Sequence, residues 1–333
     1  MSLQLLSQSG VVGLIEKRRG EIKLGERIHY PEAFTHAALD KARMQGVKYA
    51  ILGIPESIGI MGNAGKPNAE LAWNAFLKAF LNVQHNRFLD LNSVCVLGEV
   101  DVSFLQKRAE SLDSDSSYYL QKLHLLCEEL DELVTPVIEL IVKAGIVPIV
   151  IGGGHNNAFP ILKGASLGLD KPLNAINLDA HADFRPLEGR HSGNGFSYAM
   201  QARVLQKYAV FGLHQNYNAE YMLKALDSLN TIHYTFLEDL KYFGEDLNKA
   251  LSFVQDQNKV GLEIDMDAIR SMPSDAISPT GFSLEQARSY IKTSKAKLDI
   301  AYLHLAEGAP NNLLEENLLG KALSYLVTDF IKA

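Results

Sequence analysis

The sequence predicts an α/β protein whose parallel sheet is covered by helices on both faces. Short β-branched apolar runs alternate with longer amphipathic ones along most of the chain. That alternation is the pattern expected when parallel strands are buried on both faces by crossover helices. No low-complexity tract, fixed-period repeat or Pro/Gly/Ser linker divides the 333 residues, so one doubly wound domain over 1–333 fits better than two.

Eight strands are expected. VKYAILGI (47–54) and SVCVLGEV (93–100) come first, then IVPIVIG (146–152), which runs into a glycine triplet. LNAINLD (173–179) and KVGLEID (259–265) both end on an acid, with KYAVFGL (207–213) and NTIHYTF (230–236) between them and LDIAYLHL (298–305) last. The clearest helix covers 117–144, with apolar residues at three and four spacing; Pro136 inside it should kink or split it. Others fall near 69–82, 219–229, 245–257 and 284–297. A closing amphipathic helix at 312–332 places Leu314, Leu318, Leu319, Leu323, Leu326 and Phe330 near one face.

Composition excludes several classes. With 47% hydrophobic and 21% charged residues the chain has the profile of a soluble globular protein able to bury a full core. Cys95 and Cys127 cannot make a disulfide framework or a thiolate metal cage, and neither lies in a CxxC pair, so a reducing cytoplasm is the expected compartment. A formal charge of -7, a pI near 5.8 and no long Lys/Arg run offer nothing to nucleic acid. The first twenty residues lack a cationic segment ahead of an apolar one, and no stretch reaches the roughly 18 apolar residues of a membrane span, so neither export nor a membrane anchor is expected.

In open parallel sheets ligands bind beyond the carboxyl ends of the strands, and three unusual clusters lie there. IGGGHNN follows the third predicted strand and sets His155 behind three glycines, where the backbone can turn sharply. NLDAHADFR follows the fourth, with Asp179, His181 and Asp183 at alternate positions, which on extended chain share one side. LEIDMDAI follows the seventh and repeats the alternation with Asp265 and Asp267. Burying four carboxylates together without counter-charge would raise their pKa values and cost several kcal/mol per ion. Divalent metal removes that cost. Hard oxygen and borderline nitrogen donors without sulfur suit manganese or a similar first-row ion, and six ligands exceed the needs of one catalytic ion, so two ions sharing bridging carboxylates are expected.

Other motifs lead nowhere. GNAGKP (62–67) is not a P-loop, because Ile60 stands where the first glycine should be and Pro67 where Ser/Thr is required. The two cysteines read as buried packing groups, and His29, His36, His85, His124, His214 and His233 as structural or surface residues.

Together these segments resemble the ureohydrolase family of arginases, agmatinases and formimidoylglutamases, from ILGIPE near 51 to AEGAP at 306–310. The family's GG[DG]H, DAHxD and [SE]xDxD signatures stand here as Gly152-Gly153-Gly154-His155, Asp179-Ala180-His181-Ala182-Asp183 and Glu263-Ile264-Asp265-Met266-Asp267. The resemblance implies a three-layer α/β/α sandwich on an eight-stranded parallel sheet, a trimeric or hexameric assembly and two Mn2+ per chain. One manganese would take His155, Asp179, Asp183 and Asp265; the other would take Asp179, His181, Asp265 and Asp267. The implied reaction is attack of metal-bridging hydroxide on the carbon of a small-molecule amidine or guanidine, with Glu307 of Glu307-Gly308-Ala309-Pro310 holding the cationic group. His304 stands where the usual pattern has an aspartate.

The segment DFRPLEGRHSGNGFSYA separates the family's members. Ser192-Gly193-Asn194 matches an arginase triplet, so Ser192 and Asn194 are candidate substrate contacts. Arg185 replaces an asparagine that arginases use, and Phe196 a proton-shuttling histidine; Arg190 adds a second cation, and His191 is the candidate replacement shuttle. Arginine pairs bidentately with carboxylate. That favours N-formimidoyl-L-glutamate, with two carboxylates, over arginine, whose α-ammonium the added cation would repel. Asn156 and Asn157 would touch substrate or cap the next helix, and the 270–283 stretch, with Ser278 and Thr280, would wall the pocket. The expected activity is therefore a formimidoylglutamase-like hydrolysis. An arginase or agmatinase releasing urea, a one-zinc deacetylase of related fold and an inactive metal-binding homologue are the alternatives.

Overall fold

A computed structural model describes residues 3–333. Nine strands form one sheet: β1 (Leu3–Leu5), β2 (Tyr49–Gly53), β3 (Val94–Val100), β4 (Val147–Ile151), β5 (Leu173–Leu178), β6 (Leu205–Leu213), β7 (Ile232–Phe236), β8 (Val260–Asp265) and β9 (Ile300–Ala306). Their order is β1-β3-β2-β4-β9-β8-β5-β6-β7. The eight expected strands are all present and parallel.

The ninth corrects the expected count. β1 pairs antiparallel with β3 at the edge, Leu3 opposite Val100 and Leu5 opposite Gly98. Three residues without a β-branched side chain carry no strand signal of their own; the edge of β3 supplies the order. Gly98 makes the approach possible, at φ +136, since a Cβ there would stand 2.0 Å from the Gln4 carbonyl oxygen.

Alternation along each strand divides the core into two layers. Ile149, Ile151, Ile176, Leu178 and Leu303 face helices Ala72–Phe80, Phe243–Val254, Leu284–Lys297 and Leu313–Lys332. Val150, Ala175, Val210 and Tyr302 face helices His36–Met44, Tyr119–Lys143, Ala158–Leu169 and Gly195–Gln201. The result is a three-layer α/β/α sandwich. Among the described residues no helix is long and apolar enough to cross a membrane.

Two helix expectations change. Tyr119–Lys143 runs unbroken through Pro136. It packs along Ala158–Leu169, where Gly164 admits it so closely that a Cβ would lie 2.4 Å from the Thr135 carbonyl oxygen. In the closing helix the buried stripe is Leu319, Leu323, Leu326 and Phe330, whereas Leu314 and Leu318 are exposed. Leu318 is one residue, about 100° round the helix, from Leu319, and so turns away from the sheet.

Four adjacent central strands, β4-β9-β8-β5, bring their carboxyl ends together. β8 and β9 enter between β4 and β5, which are consecutive along the chain, and this insertion gathers the three sequence clusters and Glu307 at one place.

Candidate active site

The acids converge because the chain turns just past the strands. Asp179 Oδ1 accepts from the His181 backbone N at 2.6 Å, and Asp265 Oδ1 from the Asp267 N at 2.8 Å. Each aspartate thereby holds a tight turn over its own loop. Asp183 adopts φ +47, so 179–183 is curled rather than extended, and its side chains meet by turning rather than by strand alternation.

His155 is fully buried, and its Nδ1 lies 3.2 Å from Asp179, 3.0 Å from Asp183 and 3.2 Å from Asp265. His181 Nδ1 lies 2.9 Å from Asp267 and 3.8 Å from Asp179. Two groups result that could each hold an ion: His155 with Asp179, Asp183 and Asp265, and Asp179 with His181 and Asp267. The first is the set expected for one manganese. The second holds three of the four expected for the other, and Asp265 stands between them through its bond to Asp267.

Electrostatics favours cation binding. Burial, with the repulsion of Asp183 and Asp267, pushes the Asp179 carboxyl up to about 7. Burial and the neighbouring Asp267 and Asp179 push Asp265 well above the carboxylate range. Burial disfavours charge on both histidines, but the carboxylates around them outweigh it and raise both. The cluster thus concentrates buried negative charge that a divalent metal would neutralise. Asp267 Oδ1 is buried with no hydrogen-bond partner among the described residues, and the donor set is oxygen and nitrogen only, both of which fit such ions.

A cavity of about 270 Å³ opens over this cluster, lined also by Arg185, Ser192, Tyr217, Asp275 and Glu307. Glu307 is buried at φ +64, with its Oε1 accepting from the His155 N at 2.7 Å. Burial and neighbouring Asp275 push its carboxyl well above the usual range. Arg185 lies half exposed at the rim, 3.9 Å from Glu188, and its backbone N donates to the Gly193 carbonyl. The Ser192 hydroxyl accepts from Asn63 at 3.4 Å.

Other candidates are drawn away from the cavity. Arg190 is 1% exposed and binds Asp131 through Nε at 2.8 Å and Nη2 at 3.1 Å, donating also to Asn194 Oδ1 and the Asn156 carbonyl. It is a structural cross-link between the His155 loop, the 190–194 turn and the long helix; a buried guanidinium needs a buried acid, and Asp131 is it. Asn194 completes this network through Arg190 and the His191 N. His191 accepts from the Gly193 N at 3.2 Å and packs 5.4 Å from the His124 ring, outside the cavity lining. Burial and the positive charge of His124, Arg185 and Arg190 pull its pKa down to about 3. Phe196 is fully buried, stacked 4.2 Å from Tyr208 and edge-on to His155.

Asn156 and Asn157 serve an acid that the sequence reading passed over. Fully buried Glu56 accepts from both their amides, at 3.2 and 2.6 Å, and from the backbone N of Gly154, Ile58 and Gly59. This carboxylate clamps the glycine loop that carries His155. Its place directly after Pro55 at the end of β2 was the available signal. Of the 270–283 stretch, Asp275 and Ala276 reach the cavity, while Ser278 closes the loop by accepting from the Ser271 N.

Comparison with known proteins places this site in context. Formimidoylglutamases of Streptococcus pyogenes are similar in sequence: one is 31% identical over 150 residues, covering 42% of this chain and 46% of the relative. Another is 28% identical over 216 residues, covering 60% and 66%. The chain thus spans about half the length of the first of these relatives and about two thirds of the second. A formiminoglutamase variant of Trypanosoma cruzi solved with Mn2+ shares the fold at a TM-score of 0.71 and 18% identity, over 94% of this chain and 97% of that one. A formimidoylglutamase of Bacillus subtilis does so at 0.74 and 15%, over 95% and 93%. The arginase family profile matches residues 47–325, and the chain belongs to the arginase family.

Proposed function

We propose that the chain is a hydrolase of linear amidines, converting N-formimidoyl-L-glutamate and water to L-glutamate and formamide. The observation that carries this is the single cavity in which both candidate metal groups, an uncompensated Glu307 and the rim cation Arg185 meet. His155, Asp179, Asp183, His181, Asp265 and Asp267 would hold two Mn2+, the ion present in the Trypanosoma neighbour. Such a pair supplies an activated water and polarises the amidine. The chain's own residues do the rest. Glu307, fixed by the His155 N, accepts from the amidinium N–H groups and turns its carbon toward the acids. Arg185 takes a carboxylate at the other end, and Ser192 offers a hydroxyl between them. Water oxygen ends on formamide, the bond from the formimidoyl carbon to the glutamate nitrogen breaks, and that nitrogen gains a proton.

A guanidino substrate releasing urea is the second reading. It is favoured by Asp275, a second carboxylate in the cavity that extra N–H groups would satisfy. A manganese-reconstituted sample assayed with N-formimidoyl-L-glutamate, arginine, agmatine and guanidinobutyrate, with metal content measured on the same sample, decides between them. Formamide from the first supports the proposal; urea from any of the others replaces it.

A further inference from the structure

We infer that Asp275 acts with Glu307 as a two-carboxylate cradle for the cationic head of the substrate and is a specificity-determining residue of the pocket. The inference rests on the amidine-hydrolase reading for the chemistry of that head, an amidinium or guanidinium ion.

The backbone brings the two acids together. Ser274 bridges Gly308 in antiparallel fashion, and the Ala309 N donates to the Pro273 carbonyl at 3.1 Å. The 273–275 segment is thereby laid along the chain that follows β9, and the carboxyl groups of Asp275 and Glu307 line one cavity as neighbours close enough to perturb each other. On its far side Asp275 fits against Gly65, where a Cβ would stand 2.7 Å from Asp275 Oδ2. One carboxyl of the pair is therefore anchored by the His155 N and the other is seated in a glycine notch, both lining the same cavity.

Neither acid belongs to the two candidate metal groups, and among the described residues neither has a lysine or arginine ion-pair partner. Two neighbouring carboxylates with no cation between them can share a proton or accept a cation from outside. An amidinium matches that need, because it is positive and has N–H donors on both nitrogens, so it can face two acceptors at once. A neutral amide of the same shape lacks the charge. The acidic floor would also repel the carboxylates of an acidic substrate, which leaves the rim at Arg185 as their place and fixes the direction in which the substrate lies.

The test uses the manganese-loaded protein and its D275N and D275A variants, with calorimetric titration of guanidinium and acetamidinium ions. N-formyl-L-glutamate serves as the control whose head is uncharged. Wild type should bind the cations, and both variants should bind them about ten- to a hundred-fold more weakly, the effect of losing one charged hydrogen bond. Metal content and thermal midpoint should stay unchanged, and N-formyl-L-glutamate affinity should not fall. Equal cation affinity in wild type and D275N, with metal content intact, overturns the inference. If the variants lose metal or fold, D275E provides the second reading: restored folding with restored cation affinity supports the cradle, and restored folding with affinity still lost overturns it. The two failures are distinguishable. Asp275-dependent cation binding without turnover of N-formimidoyl-L-glutamate removes only the proposed reaction, and turnover with Asp275-independent cation binding removes only the cradle.

Discussion

His304 Nδ1 lies 2.7 Å from Glu263 Oε2, and the two residues are in register across β8 and β9. The Tyr302 hydroxyl donates to the other Glu263 oxygen at 2.6 Å, while His155 Nε2 lies 3.4 Å from the oxygen that meets His304. All four side chains are fully buried. Burial alone would raise the Glu263 carboxyl, but His304 and His155 outweigh it and hold it down at about 2. The departure at His304 from the aspartate of the family pattern is thus one half of a buried pair whose other half lies beneath a candidate metal ligand.

That arrangement predicts a role in metal affinity. A carboxylate behind a ligating imidazole fixes which nitrogen faces the ion, and its loss typically costs ten- to a hundred-fold in affinity. Glu263→Gln should weaken manganese binding by about that factor, measured by competition with a calibrated chelator. Unchanged affinity would show that Glu263 only fills the core.

Asp179→Asn and Asp265→Asn should lose metal and activity together, because Asp179 belongs to both candidate groups and Asp265 touches both. Elemental analysis alongside turnover is the measurement. Full metal content with retained turnover in either variant is incompatible with two ions sharing these carboxylates.

Removing Arg190 should act on stability. Arg190→Met strands Asp131, 4% exposed, without its partner, and breaking such a buried pair costs about 3–5 kcal/mol. Urea titration should show that loss, and the Arg190→Met, Asp131→Leu double variant should recover much of it. A loss no larger than that of a surface ion pair would contradict the assignment.

Arg185→Gln should behave differently. The side chain is half exposed, so stability should hardly change, while KM for a substrate carrying carboxylates should rise roughly tenfold and kcat change less. Steady-state kinetics against N-formimidoyl-L-glutamate and agmatine, which has no carboxylate, separates the two. An equal rise for both substrates would remove Arg185 from carboxylate recognition.

His191 sets a pH dependence. Its pKa falls from 6.5 to about 3 on folding, so above 6.5 it is neutral in both states and its contribution is fully present. Below 6.5 the unfolded chain takes up a proton that the folded chain refuses, and stability falls continuously toward pH 3. His191→Asn, which keeps an acceptor for the Gly193 N, should flatten the fall of the thermal midpoint between those values. Parallel curves for the two proteins would rule the residue out as the source.

Much of the framework is legible in the chain. Short, mostly apolar runs such as 146–152 and 173–179, alternating with long amphipathic ones, read as strands buried on both faces, and the His and Asp clusters just past their ends stand out, so strands and ligand clusters announce themselves locally. The edge strand at Leu3–Leu5 does not, because its order comes from β3 and from the space left at Gly98.

The sequence by itself determined the eight parallel strands and the six metal-ligand candidates, because spacing along the chain and chemical type suffice to set each just past a strand, and the family resemblance added Glu307. Only the tertiary structure decided what the cations and lone acids do. It paired Arg190 with Asp131 across 59 residues, set Glu56 under the His155 loop from 98 residues away, and joined His304 to Glu263 across two strands. It also laid Asp275 beside Glu307. A charge in a folded chain is assigned by whichever opposite charge or hydrogen-bond donor burial brings within about 3 Å, and that neighbour is set by strand order and loop closure, not by proximity in sequence.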